Sequence, residues 1–163
     1  MKEQTVEQTA EKNVPAIYGR YKGADWFDLL YKRDIMILGQ GGIGSWLSFL
    51  LSRTGAKLYL YDMDRFEDHN GGQLMFRQDV GQLKTAAIAG TIADFSPDCA
   101  LELFGAYTVD SETAPIVLTG FDRNDARKLA FNKWAHYVSR LPESKRKCCF
   151  FQDGRLLAEQ FMI

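Results

Sequence analysis

The 163 residues are 46% hydrophobic and 13% aromatic, the composition of a folded globular chain and not of a disordered one. A formal charge of −1 gives no general attraction to nucleic acid or to an anionic membrane surface. No apolar run approaches the roughly 18 residues that cross a bilayer.

In chain order, residues 1–33 read as a polar tail and a helical lead-in. The start, MKEQTVEQTAEKN, lacks the apolar centre of a signal peptide and is expected to be a mobile tail or a solvated helix. A loop with Gly19 and Gly23 follows, then a short amphipathic stretch in which Trp26 and its neighbours are expected in a helix core. Residues 34–163 read as one nucleotide-binding domain. It opens with Asp34–Leu38, a short apolar run typical of a buried parallel strand, followed at once by Gly39-Gln40-Gly41-Gly42-Ile43-Gly44-Ser45. Trp46, Leu47, Phe49, Leu50 and Leu51 then fall at helical spacing. Strand, Gly-x-Gly-x-x-Gly and helix together form a nucleotide-binding turn, where glycines admit a phosphate and helix-start N–H groups hold it.

Ala56–Asp62 is a second strand ending in a carboxylate, 18 positions beyond Gly44. That is close to the roughly 20 expected for an acid that accepts ribose hydroxyls. A long polar loop from Asp62 to Val80 leads to a helix over Lys84–Phe95, with Ala87, Ile88, Ile92 and Phe95 inward and Pro97 as its stop. Leu101–Phe104 and Ile116–Leu118 read as strands. Asn124 or Asp125 is placed to cap a helix to about Val138, with Ala126, Leu129, Ala130 and Trp134 inward. Lys145-Arg146-Lys147 reads as a solvated lead-in, and Cys148–Gln152, Asp153-Gly154 and Leu156–Ile163 as strand, turn and strand.

Strands alternating with helices predict an α/β, Rossmann-like doubly wound fold, a mostly parallel sheet with helices on both faces. Its ligand would lie beyond the carboxyl ends of the strands, where the glycine loop, Asp62 and the Thr119–Asp122 loop converge. Cys99, Cys148 and Cys149 form no C-x-x-C pair, which argues against a disulfide framework or zinc site and for a reducing cytoplasm. His69 and His136 are read as structural or solvated.

These pieces in series resemble the ThiF/MoeB family of adenylating enzymes. Gly39–Ser45 is similar to its G-x-G-G-[LIV]-G-S loop, and Asp62-Met63-Asp64 with Asn70 resembles its D-x-D strand end and following Asn. Phe76–Lys84 resembles its F-R-x-x-D-V-G-x-x-K stretch, one residue shorter between Arg and Asp, and Val117–Asp122 resembles the strand and loop that carry a magnesium-binding Asp. The resemblance implies an adenylyltransferase using ATP and Mg²⁺ on the C-terminal carboxylate of a ubiquitin-like protein or peptide. Gly39, Gly41, Gly42 and Gly44 would then cradle phosphates, and Asp62, with Asp64 beside it, would hold the ribose. Asn70 and Lys84 would contact phosphate, and Asp122 would hold the metal. It also implies a homodimer or a complementing chain.

Three departures stand out. Gln73 occupies the neighbourhood where the family carries a phosphate-clamping Arg, with Arg77 as a candidate substitute. Arg123 follows Asp122 where the family usually has Asn. The family usually continues past the Asp153-Gly154 turn with more strands and often a reactive Cys, so the domain is expected to lack the usual C-terminal part. Two other readings stay open: a nucleotide-binding module without turnover, serving as a regulatory or assembly partner, and an NAD-dependent oxidoreductase, whose ribose Asp62 also suits.

Overall fold

The computed structural model describes residues 14–21, 23–157 and 160–162. The expectation for the first thirteen residues lies outside that range. At the centre is β1 (Asp34–Leu38), in which Ile35, Met36, Ile37 and Leu38 are all buried. An unbroken apolar run makes sense only for a strand covered on both faces, and β1 is flanked by parallel neighbours on both edges. β2 (Lys57–Tyr61) pairs with one edge, Ile37 opposite Leu60, and β4 (Ile116–Thr119) with the other, Ile37 opposite Leu118. Outside these lie β3 (Ala100–Phe104) and β5 (Phe150–Asp153), giving the all-parallel order β3-β2-β1-β4-β5. The order reverses between β1 and β4, the place where loops diverge and leave a crevice.

On one face, α2 (Gly44–Leu51) and α3 (Lys84–Phe95) pack over Ile35, Ile37, Leu58, Leu60, Ile116 and Leu118. Ile88 and Ile92 of α3 are fully buried there; each contributes about 1.5–3 kcal/mol by transfer from water. Both ends of α3 fall where the sequence placed them: the Ser96 N–H bonds to the Ile92 carbonyl, and Pro97 follows. The opposite face packs Met36, Leu38, Tyr61 and Val117 against Ala130 and Trp134 of α4 (Asn124–Ser139). The connection from β3 to β4, residues 105–115, contains no helix. No helix among the described residues is long and apolar enough to cross a membrane.

Several expectations require correction. In α1 (Asp25–Leu30) the buried residue is Phe27, packed with Tyr18 and Tyr31, whereas Trp26 and Leu29 are exposed. The N-cap of α4 is Arg123, without a side-chain bond, so neither Asn124 nor Asp125 holds the cap position. The basic run is solvated as expected, but Lys145 and Arg146 close a short helix, α5 (Glu143–Arg146), with Arg146 donating to the Ser139 and Leu141 carbonyls. After β5 the chain does not fold back on it. The Gly154 N–H bonds to the Thr119 carbonyl, and β6 (Arg155–Leu157) pairs instead with β7 (Gln160–Met162) in an antiparallel hairpin.

Candidate functional site

Backbone pairing runs one residue past each central strand. Gly39 donates to the Tyr61 carbonyl at 2.8 Å, and Gly120 to the Leu38 carbonyl at 2.8 Å. Gly39 has φ +89, a left-handed conformation that L side chains resist, and turns the chain sharply off β1. Helix α2 then starts so close that a Cβ on Gly44 would lie 1.8 Å from the Gly39 carbonyl oxygen. The N-cap of α2, Ile43, makes no side-chain cap bond; the Ser45 N–H is taken by the Gly41 carbonyl at 3.1 Å, while the N–H groups of Gly42, Ile43 and Gly44 bond to no described residue and remain open to a ligand.

Asp62 pins this loop from the side. One carboxylate oxygen accepts the Gln40 N–H at 2.6 Å and the other the Asp64 N–H at 2.8 Å. Gln40 itself is fully buried and structural, accepting from the Ser48 hydroxyl and donating to the Ile37 carbonyl. Ser45 ties the long loop down, donating to the Gly41 carbonyl while its oxygen accepts the Leu74 N–H. Gly44, Ser45 and Ser48 are the buried residues of α2, and Leu47 and Leu51 pack beside them against the core. Trp46 and Leu50 lie on the outer side of the helix, 44% and 62% exposed.

A cavity of about 760 Å³ opens at the strand ends. Gly39, Gly41 and Gly42 form one wall, and Asp62, Asp64 and Lys84 a second. Phe121, Asp122 and the first turns of α4 form a third. Lys84, the first residue of α3, is almost buried, with its Nζ 3.5 Å from the Asp64 Oδ2. Asp122 is exposed and makes no hydrogen bond or ion pair with a described residue. Arg123 holds Asp125 through two hydrogen bonds, and that guanidinium keeps the Asp125 carboxyl below the usual carboxylate range. Gln73 lines the cavity, and its Oε1 is buried without a hydrogen-bond partner.

Of the residues singled out from the sequence, the four glycines, Asp62, Asp64, Lys84 and Asp122 meet around this cavity, Gly44 from behind the loop. Asn70 does not line it: its side-chain oxygen accepts the Glu67 N–H at 2.9 Å and closes a local turn. Arg77 sits exposed in the 3₁₀ turn Arg77–Asp79 and does not line it either. The sequence reading missed Arg127, a cavity-lining cation only 16% exposed, whose Nε lies 3.3 Å from Asp153 Oδ1. Its signal was its place one helical turn after Arg123, on the first turns of a helix aimed at the site.

Comparison with known proteins agrees with this architecture. A stretch of 82 residues is 40% identical to ubiquitin-like modifier-activating enzyme 5 of Arabidopsis thaliana, covering 49% of this chain and 19% of that enzyme. The Dictyostelium discoideum enzyme of the same name is 40% identical over 71 residues, 42% of this chain and 19% of its own length. The chain thus matches about a fifth of the length of these relatives. Among solved structures, the Escherichia coli tRNA N6-threonylcarbamoyladenosine dehydratase TcdA in complex with ATP has a TM-score of 0.62 and 26% identity, over 75% of this chain and 53% of that one. The E. coli enzyme MccB with its MccA-N7isoASN has a TM-score of 0.63 at 23% identity, over 78% and 38%, a likeness of fold alone. Residues 20–139 match the ThiF family, so the chain belongs to that family.

Proposed function

We propose that this chain is an ATP- and Mg²⁺-dependent adenylation module that activates the C-terminal carboxylate of a ubiquitin-like protein or peptide as an acyl-adenylate. The observation that carries this reading is the meeting of the glycine loop, Lys84 and Asp122 around one cavity at the switch point of the sheet. The buried, unpartnered Oε1 of Gln73 in the same wall supports a ligand that brings a hydrogen-bond donor. The TcdA structures with ATP and with AMP, and the MccB structure with N-formylated MccA, supply relatives of the matching kind.

In this reading the open N–H groups at the start of α2 take phosphate oxygens, helped by the positive end of the helix dipole. Asp62 keeps lone pairs beyond the two it spends on Gln40 and Asp64, and these accept ribose hydroxyls. A carboxylate oxygen of the acceptor attacks the α-phosphorus, the bond to the β,γ-pyrophosphate breaks, and pyrophosphate leaves with the electron pair. No proton needs to move, so the work is alignment and charge neutralisation. Lys84 and Arg127 supply the cations. The described residues form no group of three or more His, Cys, Asp or Glu that would cage a metal. Mg²⁺ is ordinarily held by one or two carboxylates and the substrate's phosphates, a role that the exposed Asp122 fits. Once bound, it would offset charge on the phosphates.

The test is exchange of labelled pyrophosphate into ATP, in the presence of candidate ubiquitin-like proteins or peptides. Exchange that needs Mg²⁺ and disappears in Asp122→Ala is the expected result. One observation favours a second reading, a nucleotide-binding module without turnover: Gln73 brings no charge where the family carries a clamping Arg. ATP binding with no exchange for any acceptor selects it. Tighter binding of NAD than of ATP refutes both.

A further inference from the structure

A second concavity lies on the α4 side of the sheet, away from the glycine loop. It has a volume of about 620 Å³, and its existence follows from the topology. Parallel strands are ordinarily joined by a crossover helix that covers the sheet, and all-parallel sheets are covered on both faces. Here the β3–β4 connection is eleven residues, 105–115, without a helix, and α4 packs over β4 and β5. The strip formed by β2 and β3 is therefore left to the connecting loop alone.

The chemistry of that strip is one-sided. Its floor carries the rings of Tyr59, Tyr61 and Phe104, with Tyr61 stacked on Phe104 at 4.5 Å between centroids. Four carboxylates line it, Asp34, Glu102, Asp110 and Glu112, and no lysine or arginine does. Lys57 pairs with Glu102, while Lys133 donates to the carbonyls of Thr108, Val109 and Ser111 and holds the loop in place. The remaining three acids form no ion pair with a described residue. The acids are also spread out. Asp34 stands at the amino end of β1, and Glu112 lies near the phenol of Tyr61 at the carboxyl end of β2. Four residue steps separate those ends, about 13 Å. That span is too long for one small amine.

We propose that this groove docks a basic segment of another polypeptide, with Lys or Arg side chains seated between the carboxylates and against the Phe104 ring; Tyr61 is buried beneath that ring and Lys57 already lies over Tyr59. Aromatic faces and carboxylates both attract such cations, and a groove with three acids outside any ion pair among the described residues repels an acidic partner. Gly105 and Ala106 line both this groove and the glycine-loop cavity, so a docked segment lies next to the nucleotide site without occupying it. The proposal stands apart from the adenylation reading and survives if the chain proves to bind ATP without turnover.

The experiment titrates the full chain with two fluorescent 12-residue peptides of identical leucine and alanine content, one bearing four lysines and the other four glutamates. Amide resonances of Tyr59, Glu102 and Phe104 are followed in parallel. The lysine peptide is expected to bind at least about tenfold more tightly and to shift those resonances. In the double variant Asp110→Lys, Glu112→Lys the preference is expected to reverse, with ATP affinity unchanged as evidence that the fold persists. Equal affinity for the two peptides, no binding at millimolar concentration, or shifts confined to the Trp46 and Leu50 surface would overturn the proposal. So would self-association abolished by the double variant, since a second copy would then fill the groove.

Discussion

Gly44→Ala puts the helix start to a direct test. The new Cβ would lie 1.8 Å from the Gly39 carbonyl oxygen and 2.9 Å from its carbon, both backbone atoms. It must therefore retreat by about 1.2 Å merely to reach 3.0 Å, the shortest approach real Cβ atoms tolerate. Alanine gains up to about 1 kcal/mol over glycine in helix propensity. Overpacking costs about 1–3 kcal/mol, and because neither backbone atom can rotate away, the upper part of that range applies. The net loss of about 1–2 kcal/mol lowers Tm by roughly 2–8 °C in a domain of this size. The matched control is Gly41→Ala, whose Cβ meets nothing within 4 Å. It should leave Tm unchanged yet weaken ATP, because its methyl group enters the cavity the ligand fills. Thermal unfolding and calorimetric ATP titration read both variants. A Gly44→Ala protein with wild-type Tm and wild-type ATP affinity would refute the claim that α2 packs on the Gly39 carbonyl.

Other outcomes follow from the same geometry. Lys84→Gln should retain the fold, because among the described residues Lys84 pairs only with the exposed Asp64, while pyrophosphate exchange falls about 10²–10³-fold. Arg127→Ala should weaken ATP binding by roughly tenfold or more, the worth of a hydrogen bond to a charged group, and Arg77→Ala should leave it within about twofold. Titration calorimetry distinguishes them, and the reverse order would restore Arg77 as the clamp. Burial pushes the Cys99 thiol up to about 11 from its ordinary 9.0, so at pH 8 the native protein should alkylate there about 100-fold more slowly than the unfolded chain. Because the folded value is the higher, its contribution to stability is complete below about pH 9 and is lost as pH rises towards 11. Mass spectrometry of iodoacetamide-treated protein checks the rate.

What could be read without coordinates was whatever local chemistry decides. β1 and the extent of α3 follow from an unbroken apolar run and from helical spacing closed by Pro97, so both matched the structure. The glycine loop, Asp62 and Asp122 could be aligned because each follows a strand end and the parallel order brings strand ends together, and Lys84 joins them as the first residue of α3. Side-chain direction was harder. Trp46, Leu47, Leu50 and Leu51 all have helical spacing, yet only Leu47 and Leu51 pack on the core, while Ser45 and Ser48 are buried where α2 runs against the glycine loop. The fate of Asp153-Gly154 depended on a bond from Gly154 to Thr119, a contact 35 positions away that no turn propensity records. Asn70 followed the motif but spends its side chain on Glu67, and Arg127 reaches the cavity only because α4 begins there. The bare strip over β2 and β3 was visible in principle, since residues 105–115 carry no helical periodicity.

The central claim is that the cavity binds ATP with a metal held at Asp122. Equilibrium dialysis of the chain against ATP, with and without Mg²⁺, in wild type and Asp122→Ala, tests it most directly. The account predicts ATP binding that Mg²⁺ strengthens in the wild type and leaves unchanged in Asp122→Ala. Binding indifferent to Mg²⁺ in both proteins, no ATP binding, or a preference for NAD would contradict it.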